Sequence, residues 1–496
     1  MRNRAVLALA WAMAALAGWF GTGLNPVWGA TWLLPAAAFV AAAQVRGWWS
    51  WVPGALAMGV GELNLWSYLS FIPLPVRCLL LAIPAVAFGL CTGWFGAAAR
   101  RGAGWVALAG PAAAWVSYEF LLSRLSPHST FGVIAYSQMN CLPLVQLGSV
   151  GGVWLIDGLL FAVAAAAALL VSGAVPAAQR RHIALVAAIA LVAAAGFGWN
   201  RLRTPVEGPS ATVGLVASDR PENLYFGKAA ASEAILRRYL AQVPALRAAG
   251  AELIVLPEHL LALREADPDR NAPELERQLQ GATEENQVAI VIGVDRRDPA
   301  GVEWNEARLY RPGANPLTYD KQHMLPGYES RYRPGRSSTV FVHGTQRVGL
   351  AICKDLDFPS LGRAYGEERV AALIVPAFDF TADGWLHGRM AIMRGVESGF
   401  AVVRAAKRGR LTVSDPWGRV LAEARSDAAE FATLVAPCPL RREPTVYARW
   451  GDWCGWLAVG VGLVAAANEV RARWRERGRA QDHAGDPDPR DGPRSA

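Results

Sequence analysis

The sequence predicts a multi-domain membrane protein: an all-α transmembrane bundle of about eight helices joined to an α/β domain. Three observations lead there. Up to about residue 200, and again near 453–469, apolar residues run in long blocks of Ala, Leu, Val, Gly and Trp. Between 201 and 448, short β-rich runs alternate with helical periodicity. Arginines gather in every second connection between the apolar blocks.

A helix needs roughly 20 apolar residues to cross a bilayer core. Segments near 5–24, 27–45, 51–72, 78–98, 104–123, 149–172 and 183–199 meet that length, and an eighth lies near 453–469. The expected organisation is a transmembrane domain over 1–200 with about seven helices, a soluble domain over 201–448, a transmembrane helix over 449–470 and a disordered tail over 471–496. The first block follows Arg2 and Arg4 as a signal peptide would. Another apolar block follows at once, with no small-residue cleavage site leading into a soluble sequence, so a retained helix is expected.

Basic residues set the orientation. With the N-terminus in the cytoplasm, the cytoplasmic connections hold Arg46, Arg100 with Arg101, and Arg180 with Arg181, and the tail holds Arg471, Arg473, Arg475, Arg477 and Arg479. The opposite connections carry only Arg77 and Arg124. This places 201–448 outside the cytoplasm, in the periplasm of a cell with two membranes, and the chain in the inner membrane. The net charge of +8 and pI near 9.4 are explained by these arginines, so nucleic acid is not an expected partner.

The six cysteines show no metal spacing and no disulfide framework. Cys78, Cys91 and Cys454 fall in apolar blocks and are expected to be buried packing residues. Glu62 and Glu119 are acids within apolar spans, where a charge is costly unless it faces protein or a cavity. The connection 125–148, with Pro127, His128, Tyr136, Gln138 and Asn140, is either a plain loop or the lining of a lipid-facing cavity.

In the soluble part, ATVGLVA (211–217), LIVLPE (253–258), AIVIGVD (289–295), VGLAIC (348–353), ALIVPAF (372–378) and AVVRAA (401–406) read as buried strands. Helical periodicity covers 229–248, 271–286 and 385–398. Glu258 and Cys353 end two of the strands, and Lys321 follows the segment LTYD. Strand ends are where open α/β sheets present chemistry. A thiol is a strong nucleophile but reacts as thiolate, so it needs a base, and Glu258 is the candidate. An ammonium such as Lys321 stabilises the oxyanion formed when a carbonyl is attacked. Taken singly, each residue has a plainer reading as a packed thiol, a loop acid or a surface lysine.

Their local sequences change that balance. LPE around Glu258, YDKQHMLPGYES around Lys321 and AICKDLDFP around Cys353 resemble the carbon–nitrogen hydrolase (nitrilase) superfamily, as do HGRMAIMRGVESGFAVVRAAKRG and SDPWGRVLAE. The resemblance implies an αββα sandwich and a Glu258–Lys321–Cys353 triad, with Glu329 a supporting acid and Asp355 a second. The whole chain up to about residue 470 is similar to the membrane branch of that superfamily, the apolipoprotein N-acyltransferases. AYSQMNCLPLVQLGSVGGVWLIDGLLF and TVYARWGDWCGW carry that likeness, together with a hydrolase-like domain between the seventh and eighth spans. It implies a Cys353 thioester taken from a membrane phospholipid and passed to the N-terminal amine of a lipoprotein diacylglyceryl-cysteine. It implies no cofactor and no metal, and a monomer is expected. Two departures keep alternatives open: Lys354 stands where the family usually has an aromatic residue, and PAFDFTADGW (376–385) is closer to soluble members. A different amine acceptor, or a membrane-anchored amidase or nitrilase passing the acyl group to water, fits the same triad.

Overall fold

The computed structural model describes residues 2–205, 207–224, 229–265 and 272–484. The membrane part is helical: α1 (Arg2–Gly21), α2 (Trp28–Gln44), α3 (Val52–Glu62), α4 (Leu74–Arg100), α5 (Gly104–Leu125), two short helices α6 (Leu142–Val145) and α7 (Gly148–Gly151), α8 (Val153–Ser172) and α9 (Ala177–Leu202). Among the described residues, five helices are long and apolar enough to cross a membrane: α4, α5, α8, α9 and the start of the last helix, Trp453–Ala472. Leu90, Val171, Val192 and Leu463 point outward, as lipid-facing side chains do.

The 51–72 block differs from expectation. Helix α3 stops at Glu62, and two 3-10 turns follow, Leu63–Leu65 and Tyr68–Phe71. The physical reason is the polar content after Gly61: Glu62, Asn64, Ser67 and Ser70 among Trp66 and Tyr68 suit an interface better than hydrocarbon. Cys91 and Cys454 are buried as expected, but Cys78 is exposed on the outer face of α4, where an apolar helix needs no protein cover.

The soluble part is two packed sheets. Its strands are β1 (Ser210–Ala217), β2 (Leu253–Val255), β3 (Leu261–Arg264), β4 (Ala289–Arg297), β5 (Glu303–Arg311), β6 (Ala314–Asp320), β7 (Thr339–His343), β8 (Gln346–Leu350), β9 (Ala372–Phe378), β10 (Ala401–Lys407), β11 (Arg410–Ser414), β12 (Val420–Arg425) and β13 (Ala432–Pro439). One sheet runs β13-β1-β2-β4-β5-β6 with β3 beside β4, and the other runs β12-β11-β10-β9-β8-β7. Each has a parallel centre, β1-β2-β4 (with β3 also parallel to β4) and β8-β9-β10, with antiparallel strands outside it.

The inner faces meet in one core. Val213, Leu215, Val255, Val291 and Leu309 of the first sheet pack with Leu350, Ile374, Val403 and Val413 of the second. Helices α10 (Ala229–Leu240), α11 (Val243–Ala248) and α12 (Ala272–Asn286) cover the first sheet through Leu236, Tyr239 and Leu279. Helices α13 (Pro359–Glu367) and α14 (Gly384–Ser398) cover the second. This is the αββα sandwich. Helix α15 (Val446–Trp450) leads into α16 (Trp453–Ala484). The helix continues past residue 470 through Ala484, where a disordered tail was expected, because Ala, Arg and Glu there are strong helix formers. The rest of the expected tail, 485–496, lies outside the described residues.

The connection 126–152 is a packed platform beneath the sandwich. Thr130 Oγ1 donates to the Asp357 carbonyl (2.6 Å), and Gln146 Nε2 donates to the Trp417 carbonyl (2.8 Å). Arg394 of α14 is fully buried. It donates to the Tyr136 hydroxyl (2.9 Å) and to Thr130 Oγ1 (3.3 Å), and it pairs with Glu397 (2.8 Å). Glu397 in turn accepts from the Val153 amide at the start of α8 (3.1 Å). The platform also lines a cavity of about 240 Å³, with Phe131 and Ser137 facing Glu62 and Glu119 of the membrane helices. Removing one member of a buried ion pair typically costs about 3–5 kcal/mol, because the other charge is stranded. Arg394→Met is therefore expected to lower stability by that order, read as a fall in the thermal midpoint of the detergent-solubilised protein.

Candidate active site

Glu258 lies three residues beyond β2. Its amide donates to the Ala377 carbonyl at the end of β9, in the other sheet (3.4 Å). The turn closes over Gly293 of β4, whose amide donates to the Pro257 carbonyl (3.1 Å). A Cβ at Gly293 would stand 2.4 Å from Glu258 Cα, so only glycine lets the two backbones meet.

Cys353 opens a 3-10 turn, Cys353–Asp357, after β8. Its φ is +40°, a left-handed conformation that a cysteine adopts only under constraint. Asp355, fully buried, supplies the constraint. One carboxylate oxygen accepts from the Ile352 amide (3.2 Å) and the Tyr319 hydroxyl (2.7 Å). The other accepts from the amides of Gln322 (3.1 Å) and His323 (2.9 Å). Asp355 thus fastens the cysteine turn to the segment that follows Lys321. The thiol faces the Phe378 carbonyl (3.5 Å), one residue from the carbonyl that holds Glu258. The end of β9 is therefore the shared anchor of thiol and carboxylate.

Lys321 follows β6 and is buried. Its ammonium donates to Glu258 Oε1 and to both oxygens of Glu329, each at 2.8 Å. Asn305 of β5 donates from Nδ2 to Glu258 Oε1 and Glu329 Oε1, again at 2.8 Å. The Leu325 amide donates to Glu329 Oε2 (2.7 Å). Burial opposes the Lys321 ammonium, but Glu258 and Glu329 overcome it and hold its pKa well above the ordinary lysine value. Burial likewise opposes the Glu329 carboxylate, and Lys321 with His259 outweighs it, holding Glu329 well below the usual range. Burial, then Glu258, pushes the Cys353 thiol up, with Lys321 acting the other way. The resting sulfur is a thiol, so forming a thiolate needs a nearby base.

All five residues singled out in the sequence, Glu258, Lys321, Glu329, Cys353 and Asp355, come together here. Several residues of the site were not singled out. Asn305 bridges the two glutamates from a buried strand position, where an unexplained amide was a usable signal. His259 follows Glu258 directly, takes a φ of +51° and pairs through Nδ1 with Asp295 (2.6 Å). Lys407, buried at the end of β10, donates to the His259 carbonyl (2.9 Å). Burial pushes its pKa down to about 8. On the far side, Arg404 pairs with Asp379, while His387 stands 3.2 Å from Asp383, which also accepts from the Tyr68 hydroxyl (2.7 Å) and the Phe380 amide (2.9 Å). Lys354, the departure beside Cys353, turns away to Asp357 (2.9 Å) and His128 of the platform (3.3 Å).

Among the described residues, two groups have the make-up to ligate a cation: Glu258, His259 and Glu329, and Asp379, Asp383 and His387. In the first, the Lys321 ammonium already stands between the carboxylates. In the second, Arg404 and Tyr68 already hold carboxylate oxygens.

Comparison with known proteins agrees with this architecture. The carbon–nitrogen hydrolase family profile matches residues 191–442. An apolipoprotein N-acyltransferase of Geobacter metallireducens is 24% identical over 395 residues, covering 72% of this chain and 73% of that protein. One from Chromobacterium violaceum is 26% identical over 505 residues, covering 94% of each. An (R)-stereoselective amidase of a Pseudomonas species is 32% identical over 195 residues, covering 36% of this chain and 70% of the amidase. The matched span takes in just over half of the chain and every residue of the Glu258–Lys321–Cys353 pocket, and the chain belongs to the carbon–nitrogen hydrolase family.

Proposed function

We propose that this membrane protein is an N-acyltransferase that carries an acyl chain on Cys353, from a phospholipid to the N-terminal amine of a lipoprotein diacylglyceryl-cysteine. One observation carries the reading: a buried ammonium held between two carboxylates, beside a thiol, in a domain seated on membrane helices. The similarity to apolipoprotein N-acyltransferases along nearly the whole chain supports the lipid substrates.

The reaction balances with these groups alone. Glu258 takes the thiol proton as the sulfur attacks the ester carbonyl. The Lys321 ammonium stabilises the oxyanion. The carbon–oxygen bond breaks, Glu258 returns the proton to the leaving alcohol, and a lysophospholipid departs. The acceptor amine then attacks the thioester. Glu258 takes the amine proton and passes it to the departing sulfur, which restores the thiol. Glu329 holds Lys321 in place, and Asp355 holds the Cys353 turn. Every group named comes from one chain, consistent with a monomer.

The arginine asymmetry supports an orientation with residues 201–448 on the periplasmic side of the inner membrane. There the site meets the outer leaflet, where both lipid substrates are anchored. The second reading is transfer to water, favoured by the 32% identity to an amidase.

Incubation with a labelled phospholipid and a diacylglyceryl peptide tests this function. Acylated peptide and an acyl adduct on Cys353 by mass spectrometry are expected, and Cys353→Ser abolishes the thioester. Free fatty acid without acylated peptide sinks the transferase in favour of the hydrolase. Gly293→Ala pushes the Glu258 backbone aside, and a shift of about 1 Å is expected to cost on the order of 100-fold in the acylation rate constant. An enzyme reporter fused near residue 440 is expected to be active only outside the cytoplasm.

A further inference from the structure

We infer that His259 is a positioning residue for the reaction, a second cationic donor that holds Glu258 and Glu329 when Lys321 turns to the oxyanion. This rests on the acylation of Cys353 proposed above.

An ammonium has three N–H bonds. In the resting site all three Lys321 contacts are carboxylate oxygens, one of Glu258 and two of Glu329. To stabilise an oxyanion, Lys321 must turn at least one N–H away from them. Two buried carboxylates then share fewer cationic contacts in a medium that penalises unpaired charge. Asn305 Nδ2 is already divided between both acids.

His259 is built to fill the gap. Its Nε2 stands 3.6 Å from Glu258 Oε1 and 3.4 Å from Glu329 Oε1, the two oxygens that also face Lys321. Its Nδ1 is held by Asp295 at 2.6 Å, which fixes the ring plane and aims Nε2 between the glutamates. Its left-handed backbone is fastened by the Lys407 ammonium on its carbonyl. The Tyr332 ring stacks at 5.8 Å and limits tilting. Burial opposes the imidazolium, but Asp295 and Glu258 push the His259 pKa up to about 10, so the ring carries its charge at neutral pH. A histidine that merely packed would not need an aspartate at one nitrogen and two glutamates at the other.

The test separates a step that builds an oxyanion from one that does not. Cys353 is acylated with p-nitrophenyl butyrate, which forms a tetrahedral oxyanion, and in parallel alkylated with iodoacetamide, which does not. In His259→Gln the acylation rate constant is expected to fall about 10- to 100-fold at unchanged ester KM, while alkylation changes by less than about threefold. Asp295→Asn, which frees the ring, is expected to show the same split with smaller amplitude, and it carries the test if His259→Gln fails to fold. Equal slowing of both reactions in a folded variant, or no change in either, overturns the inference. If wild-type Cys353 is acylated by the butyrate ester but never by a phospholipid, the lipid function fails and the His259 comparison still stands.

Discussion

The site depends on one buried ammonium. Lys321 has left water, and a lone charge in that position would cost several kcal/mol. Glu258 and Glu329 make its burial tolerable, and Asn305 and the Leu325 amide hold the glutamates in turn. A rigid, water-poor cluster of alternating charge results. Its dipoles are set before any substrate arrives, which is the condition under which electrostatic stabilisation acts most strongly. The thiol beside it stays protonated at rest, because burial and Glu258 both raise its pKa.

The fold brings these groups together at few points. The end of β9 offers successive carbonyls to the Glu258 amide and the Cys353 thiol, one from Ala377 and one from Phe378. Asp355 ties the cysteine turn to the backbone after Lys321. Glu258 comes from the first sheet and Cys353 from the second, so the pocket exists only where the two layers meet. The membrane part reaches the same place. The Thr130 hydroxyl and the Lys354–His128 contact bear on the turn that begins with Cys353. The charge at position 354 thus joins the α/β domain to its platform.

Much of this was legible in the sequence. The apolar blocks announced the helices, and the six β-rich runs marked six of the thirteen strands among the described residues. The strands left unread were mainly peripheral ones such as β6 and β7, whose half-exposed residues carry little hydrophobic pattern. The helix expected over 229–248 is two helices, because Pro244 begins a new one. LIVLPE and VGLAIC end as strands before Glu258 and Cys353, at Val255 and Leu350. Glu258 and Cys353 sit on the turns beyond, where a side chain can be aimed.

Sequence by itself determined the two-part architecture, the soluble α/β layering and the candidate trio Glu258, Lys321 and Cys353, because those follow from local composition, period and motif. Tertiary structure alone decided the partners of that trio. Nothing near His259 in the chain signals that Asp295, Glu329 and Lys407 will close around it, since those residues arrive from β4, the loop after β6 and β10. The third apolar block carries the polar residues that stop its helix at Glu62, but only the structure shows where one of them goes, with Asn64 Nδ2 donating to the Trp19 carbonyl (2.6 Å). Hydropathy counts carbon along a window, whereas a helix ends where its polar groups find partners in three dimensions.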